Sequence, residues 1–114
     1  IDGMYRQPDQ VNSEVRQRAS AMNLIPVRNN TVFIADMQPL NPLTPPALTR
    51  LNEVKCPVLA IVGSLDHPEI IRAADVMVAE IANAQKIIIE DTAHLPNMEK
   101  PAEFNEVVLK FLQA

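Results

Sequence analysis

Two short apolar runs most constrain what this chain can fold into: V-L-A-I-V at 58–62 and K-I-I-I at 86–89. Neither alternates apolar with polar residues, which is the pattern of a strand covered on both faces, as in a parallel sheet. From Pro68 onward, Ile70, Ala74, Met77, Val78 and Ile81 fall on one stripe, so a helix is predicted from Pro68 to near Asn83. The second strand is predicted over 86–90. A final helix is predicted to open at Pro101 and to bury Phe104, Val107, Val108, Phe111 and Leu112. The resulting order of strand, helix, strand, helix makes two parallel strands joined by a crossover, and ligands of such sheets sit at the carboxyl ends of the strands.

At 114 residues the chain is about one small domain, expected to bury roughly two thirds of the surface its unfolded form exposes. The longest apolar runs are about five residues, against the roughly 20 that a membrane span needs, and no signal peptide is visible. The net charge is −4, with Lys and Arg scattered rather than striped. This argues against a phosphate backbone as partner, so neither nucleic acid nor membrane is expected. One cysteine, Cys56, excludes an internal disulfide and a cysteine-based zinc site, and it fits a reducing, cytoplasmic setting. The sequence opens on Ile1 rather than Met, and the chain is read as a piece of something longer.

The chain divides by character into residues 1–55 and 56–114. The first part holds most of the prolines and reads as short helices joined by loops. Over 10–22, Val11, Val15, Ala19 and Met22 recur at spacings of three or four, as on one helix face. A second short helix is expected over 31–37. The N-P-L-T-P-P stretch at 41–46 then breaks regular structure, and Thr44 as N-cap with Pro45 in the first turn would start a brief helix through Glu53.

The carboxyl ends of the two strands carry the side chains of most chemical interest. Asp66 follows the first and His94 the second, 28 residues apart, a spacing that suits one crossover helix plus a strand. A carboxylate that accepts from one imidazole nitrogen fixes the tautomer and frees the other nitrogen to take a proton, which is half of a catalytic triad. Other readings stand beside this one. His94 could be a solvated loop residue, and Asp66 could cap the helix that starts at Pro68. Glu90 and Asp91 are alternative acids, but so close to His94 in sequence that the loop would have to double back. His67 reads as a loop residue rather than a metal ligand, Cys56 as a small core residue, and Leu95, Met98 and Phe104 as packing.

Taken together, C-P-V-L-A-I-V-G-S-L-D-H-P and K-I-I-I-E-D-T-A-H-L-P-N-M-E-K-P-A-E-F-N-E-V-V-L-K-F-L closely resemble the C-terminal part of α/β-hydrolase enzymes, over about residues 54–112. The resemblance implies an α/β fold in which a G-x-x-D pattern supplies the triad acid, falling on Asp66. A G/A-H-x-P-x-x-E-x-P pattern supplies the general base, falling on His94. Ala93 stands where the family often has Gly. Residues 1–53 look like the tail of the helical cap that many members insert over the site.

The family's G-x-S-x-G nucleophile elbow has no counterpart, because the only glycines are Gly3 and Gly63. Ser64 is crowded by Val62 and Asp66 for such a role, and the backbone donors of an oxyanion hole are missing with the elbow. Two strands alone would also leave both outer edges unpaired. The expectation is a C-terminal fragment of an ester- or lactone-cleaving hydrolase, inactive alone. Its partners would be a small acyl substrate and either the missing N-terminal half or a second copy joined through strand edges. Related members cleave carbon–carbon bonds, epoxides or carbon–halogen bonds, and no metal or organic cofactor is implied. The alternative is a non-catalytic module that binds a partner through its strand edges.

Overall fold

Six residues of strand on each side of one helix form the centre of the molecule. In the computed structural model, which describes residues 6–31 and 43–114, β1 is Val58–Gly63 and β2 is Ala84–Ile89. They pair in parallel from Val58 opposite Ala84 to Gly63 opposite Ile89. Four α-helices are described: α1 (Ser13–Arg28), α2 (Pro68–Glu80), the single turn α3 (Pro96–Glu99) and α4 (Pro101–Leu112). The fold class is thus α/β, with the strand–helix–strand–helix unit expected from the apolar runs.

The pleat assigns the helices to opposite faces of the sheet. Paired residues of parallel strands share a face and successive ones alternate. Lys86 therefore shares a face with Ala60 and Val62, and its ammonium pairs with Asp75 of α2. On the other face, Leu59, Gln85 and Ile87 line a cleft of about 420 Å³ together with Val107 and Phe111 of α4. The buried centre comprises Val62, Ala74, Ile81, Ile89 and Ala93, with Ile89 and Ala93 fully enclosed. Burying a side chain such as Ile89 stabilises by about 1.5–3 kcal/mol.

Several expectations are corrected at the edges of this unit. α2 ends at Glu80 rather than near Asn83, and Ile70 and Val78 are exposed on it while Ala74 and Ile81 are buried. Leu112 of α4 is 71% exposed, whereas Phe104, Val107, Val108 and Phe111 are half-buried. β1 is only half-buried along Val58–Ile61, because the described sheet has two strands and each has an unpaired edge. Cys56 is exposed rather than in the core. It stands two residues before β1, where the chain has not yet entered the sheet.

The segment before the sheet also departs from its periodicity. α1 starts after Asn12, whose side chain accepts from the Glu14 and Val15 amides at 2.9 and 3.3 Å, and it runs on to Arg28. Val11, Val15 and Ala19 are buried, but Met22 is exposed, as are Leu24, Ile25 and Val27. The apolar stripe therefore stops before the helix does. The helix expected over 44–53 is instead a 3-10 helix, Ala47–Glu53, that begins after Pro46 and has no side-chain cap. The helix expected over 31–37 lies, apart from Thr31, outside the described residues.

Candidate active site

The loops that leave β1 and β2 start from paired positions, Gly63 and Ile89, and are laced together at once. The Ser64 amide donates to the Ile89 carbonyl at 3.1 Å, and the Leu65 amide donates to the Thr92 carbonyl at 2.9 Å. The Asp91 amide donates to the Ser64 hydroxyl at 2.9 Å, so Ser64 serves as a brace between the loops. Thr92 is fully buried, and its hydroxyl donates to the Ile89 carbonyl at 2.8 Å. The loops are so close that a methyl on Gly63 would lie 2.6 Å from the Thr92 carbonyl carbon and closer still to the Thr92 and Ala93 oxygens. Only glycine fits there.

This lacing brings Asp66 and His94 into contact. Asp66 Oδ1 accepts the His67 amide at 2.7 Å, and Oδ2 lies 2.9 Å from His94 Nδ1. An ionised carboxylate can only accept, so beside one a neutral imidazole would carry its proton on Nδ1 and keep a free lone pair on Nε2. The Asp66 side chain is 8% exposed and that of His94 is 63% exposed. The Asp66 carboxylate is thus anchored in the fold while the His94 imidazole is largely open to solvent. Chemically, the arrangement can hold one tautomer, accept a proton at Nε2 and stabilise the resulting imidazolium.

The remaining polar candidates take other roles. Helix α2 is capped by His67, whose Nδ1 accepts from the Glu69 amide at 3.2 Å, so the cap falls one residue beyond Asp66. Arg72 beside Glu69 holds that exposed carboxyl below the ordinary glutamate range, chiefly through a side-chain hydrogen bond. Asp91 has a left-handed backbone, φ 53°, and its exposed carboxylate faces Lys100 at 4.0 Å rather than His94. Glu90 is exposed. Leu95, Met98 and Phe104 are half-buried. Among the described residues no cluster of His, Cys, Asp or Glu could hold a metal ion, and no helix is long and apolar enough to cross a membrane.

Sequence reasoning gave no role to Glu99 or Arg6. Glu99 Oε1 accepts the Ala93 amide at 2.9 Å, and Oε2 pairs with Arg6 Nη1 at 2.6 Å. Both side chains are largely buried, at 8% and 12% exposure. Glu99 stands in the quoted histidine pattern, and an acid at a turn between two prolines was the available signal. Arg6, 93 residues away, offers none.

No protein-family model and no curated protein matches the chain. Two solved structures are similar to it. MenH from S. aureus is 32% identical with a TM-score of 0.56, over 58% of this chain and 24% of that one. A predicted CIB-like hydrolase from Thermoplasma acidophilum is 26% identical with a TM-score of 0.54, over 57% of this chain and 31% of that one. Both neighbours are α/β-hydrolase-fold proteins. The present chain spans about a quarter to a third of their length.

Proposed function

We propose that this chain supplies the acid, Asp66, and the general base, His94, of a hydrolytic triad whose nucleophile lies on a polypeptide segment that completes the sheet. The observation that carries the reading is the 2.9 Å contact between the buried Asp66 and the exposed His94, on loops that follow paired parallel strands. The α/β-hydrolase-fold neighbours support it, as does the absence of any G-x-S-x-G in the 114 residues. The unpaired edges of the described sheet are where further strands would join.

In the completed enzyme, His94 Nε2 takes the proton of the nucleophile as it attacks the acyl carbon, and the imidazolium is stabilised across Nδ1 by Asp66. His94 then returns the proton to the leaving group as the tetrahedral intermediate collapses to an acyl-enzyme. Water is activated by the same nitrogen in the second half. Carboxylic esters and lactones are the substrate class, and the segment before residue 56 would shape the acyl pocket. The lone cysteine suits a reducing compartment such as the cytoplasm.

The test is complementation. Alone, the chain should give no burst with nitrophenyl acetate, and mixed with a chain that carries the elbow and the preceding strands it should gain turnover that Asp66→Ala and His94→Ala abolish. A stoichiometric burst from the isolated chain that survives both substitutions would overturn the reading. A stable complex with no turnover would favour a binding module that recruits partners by strand addition.

A further inference from the structure

We propose that Glu99, itself held by Arg6, is the positioning residue that sets the orientation of His94. The inference rests on the triad reading of Asp66 and His94 and adds to it how the base is aimed. The His94 loop is pinned on its near side by the bonds from Leu65 to Thr92 and from Thr92 to Ile89. Nothing in that set reaches Ala93 or His94. The far side is held by Glu99, whose carboxylate folds back six residues onto the Ala93 amide.

The turn between makes this return possible. Leu95 accepts the Met98 and Glu99 amides at 2.9 and 3.0 Å, and the Lys100 amide donates to Pro96 at 2.9 Å. One helical turn, Pro96–Glu99, therefore swings Glu99 around beneath the loop. His94 is 63% exposed, so beyond its contact with Asp66 it has little packing to hold the ring in place. Its backbone must be set by its neighbours, and the only described bond to the adjacent amide is the one from Ala93 to Glu99.

A buried carboxylate needs a partner, because desolvation otherwise disfavours its charge. Arg6 supplies it at 2.6 Å and reaches the Asp91 carbonyl, at the start of the same loop, at 3.4 Å. One guanidinium thus ties both ends of the turn that carries His94. The Arg6–Glu99 pair also links the segment before α1 to the site, so the first part of the chain contributes to aiming the base.

The experiment reads the ring nitrogens of His94 by 15N NMR on the neutral imidazole in the full chain, with sheet amide shifts as the check on folding. The wild-type chain should show the Nδ1–H tautomer, and Asp66→Asn should lose that preference. Glu99→Ala should lose it as well with the sheet amides unmoved, whereas Glu99→Gln, which keeps an oxygen for the Ala93 amide, should retain most of it. If Glu99→Ala does not fold, Arg6→Ala carries the test and should give a partial loss. A folded Glu99→Ala chain, or failing that a folded Arg6→Ala chain, with the wild-type tautomer intact overturns the positioning role and leaves the triad reading standing. An Asp66→Asn chain with the wild-type tautomer sinks the triad reading instead.

Discussion

Replacing Gly63 by alanine should separate the two loops that form the candidate site. The added methyl would lie 2.6 Å from the Thr92 carbonyl carbon and nearer to the Thr92 and Ala93 oxygens. Ordinary contact starts near 3.4 Å, and these are backbone atoms with no rotamer to change, so the strand end and the loop must part by about 1 Å. That displacement breaks or stretches the Ser64–Ile89 and Leu65–Thr92 bonds. Two hydrogen bonds at about 1 kcal/mol each and an overpacking cost of about 1–3 kcal/mol give a loss of about 3–5 kcal/mol. The gain from a less flexible unfolded chain returns well under about 1 kcal/mol. With a urea slope near 2 kcal/mol/M for a small protein, the midpoint should fall by about 2 M. Circular dichroism in urea measures it, and the His94 ring nitrogens should lose their Nδ1–H preference in parallel. A midpoint within about 0.3 M of wild type, with the Asp66–His94 bond intact, would refute the close-approach argument.

Three further outcomes follow from the same geometry. Thr92→Val removes a fully buried hydroxyl bonded to the Ile89 carbonyl while nearly keeping its shape, so unfolding free energy should drop by about 1–2 kcal/mol in the same urea assay. Cys56 is exposed and should react stoichiometrically with a disulfide reagent in the native chain, before any denaturant is added. The Glu69 carboxyl is held low by Arg72, so its contribution to stability is present above the unfolded-state glutamate value and is lost as pH falls through the depressed folded one. Arg72→Ala should bring its NMR titration back toward the ordinary range, and high salt should do the same in part because the pair is exposed.

The sheet and its crossover helix were legible because apolar β-branched runs have few other homes. V-L-A-I-V and K-I-I-I needed no tertiary information to be placed as strands, and Pro68 and Pro101 marked the two helix starts. What failed was set by context. Met22 continued an apolar spacing, yet the stripe that folding buries ends at Ala19, and spacing alone cannot say where a helix loses its neighbour. Cys56 looked like core because small apolar residues usually are, but burial depends on where the chain joins the sheet. His67 rather than Asp66 caps α2, since the Asp66 carboxylate is already engaged by the His67 amide and the His94 ring.

The contact between Asp66 and His94 depends on strand register as well as on the lacing of the loops. Gly63 pairs with Ile89, so Asp66 lies three residues, and His94 five, beyond the same level of the sheet. Slipping β2 by one residue would turn Ile89 out of the core and carry Lys86 to the α4 face, away from Asp75. The full burial of Ile89 therefore resists the slip, and with it the loss of the Asp66–His94 pair. The Asp75–Lys86 contact acts in the same direction on the α2 face. The histidine is aimed in two stages. Hydrophobic register brings its loop level with Asp66, and the buried carboxylate of Glu99 accepts from the amide next to it. The first stage can be read from the apolar runs. The second depends on Arg6, 93 residues from Glu99, and appears only when the chain is folded.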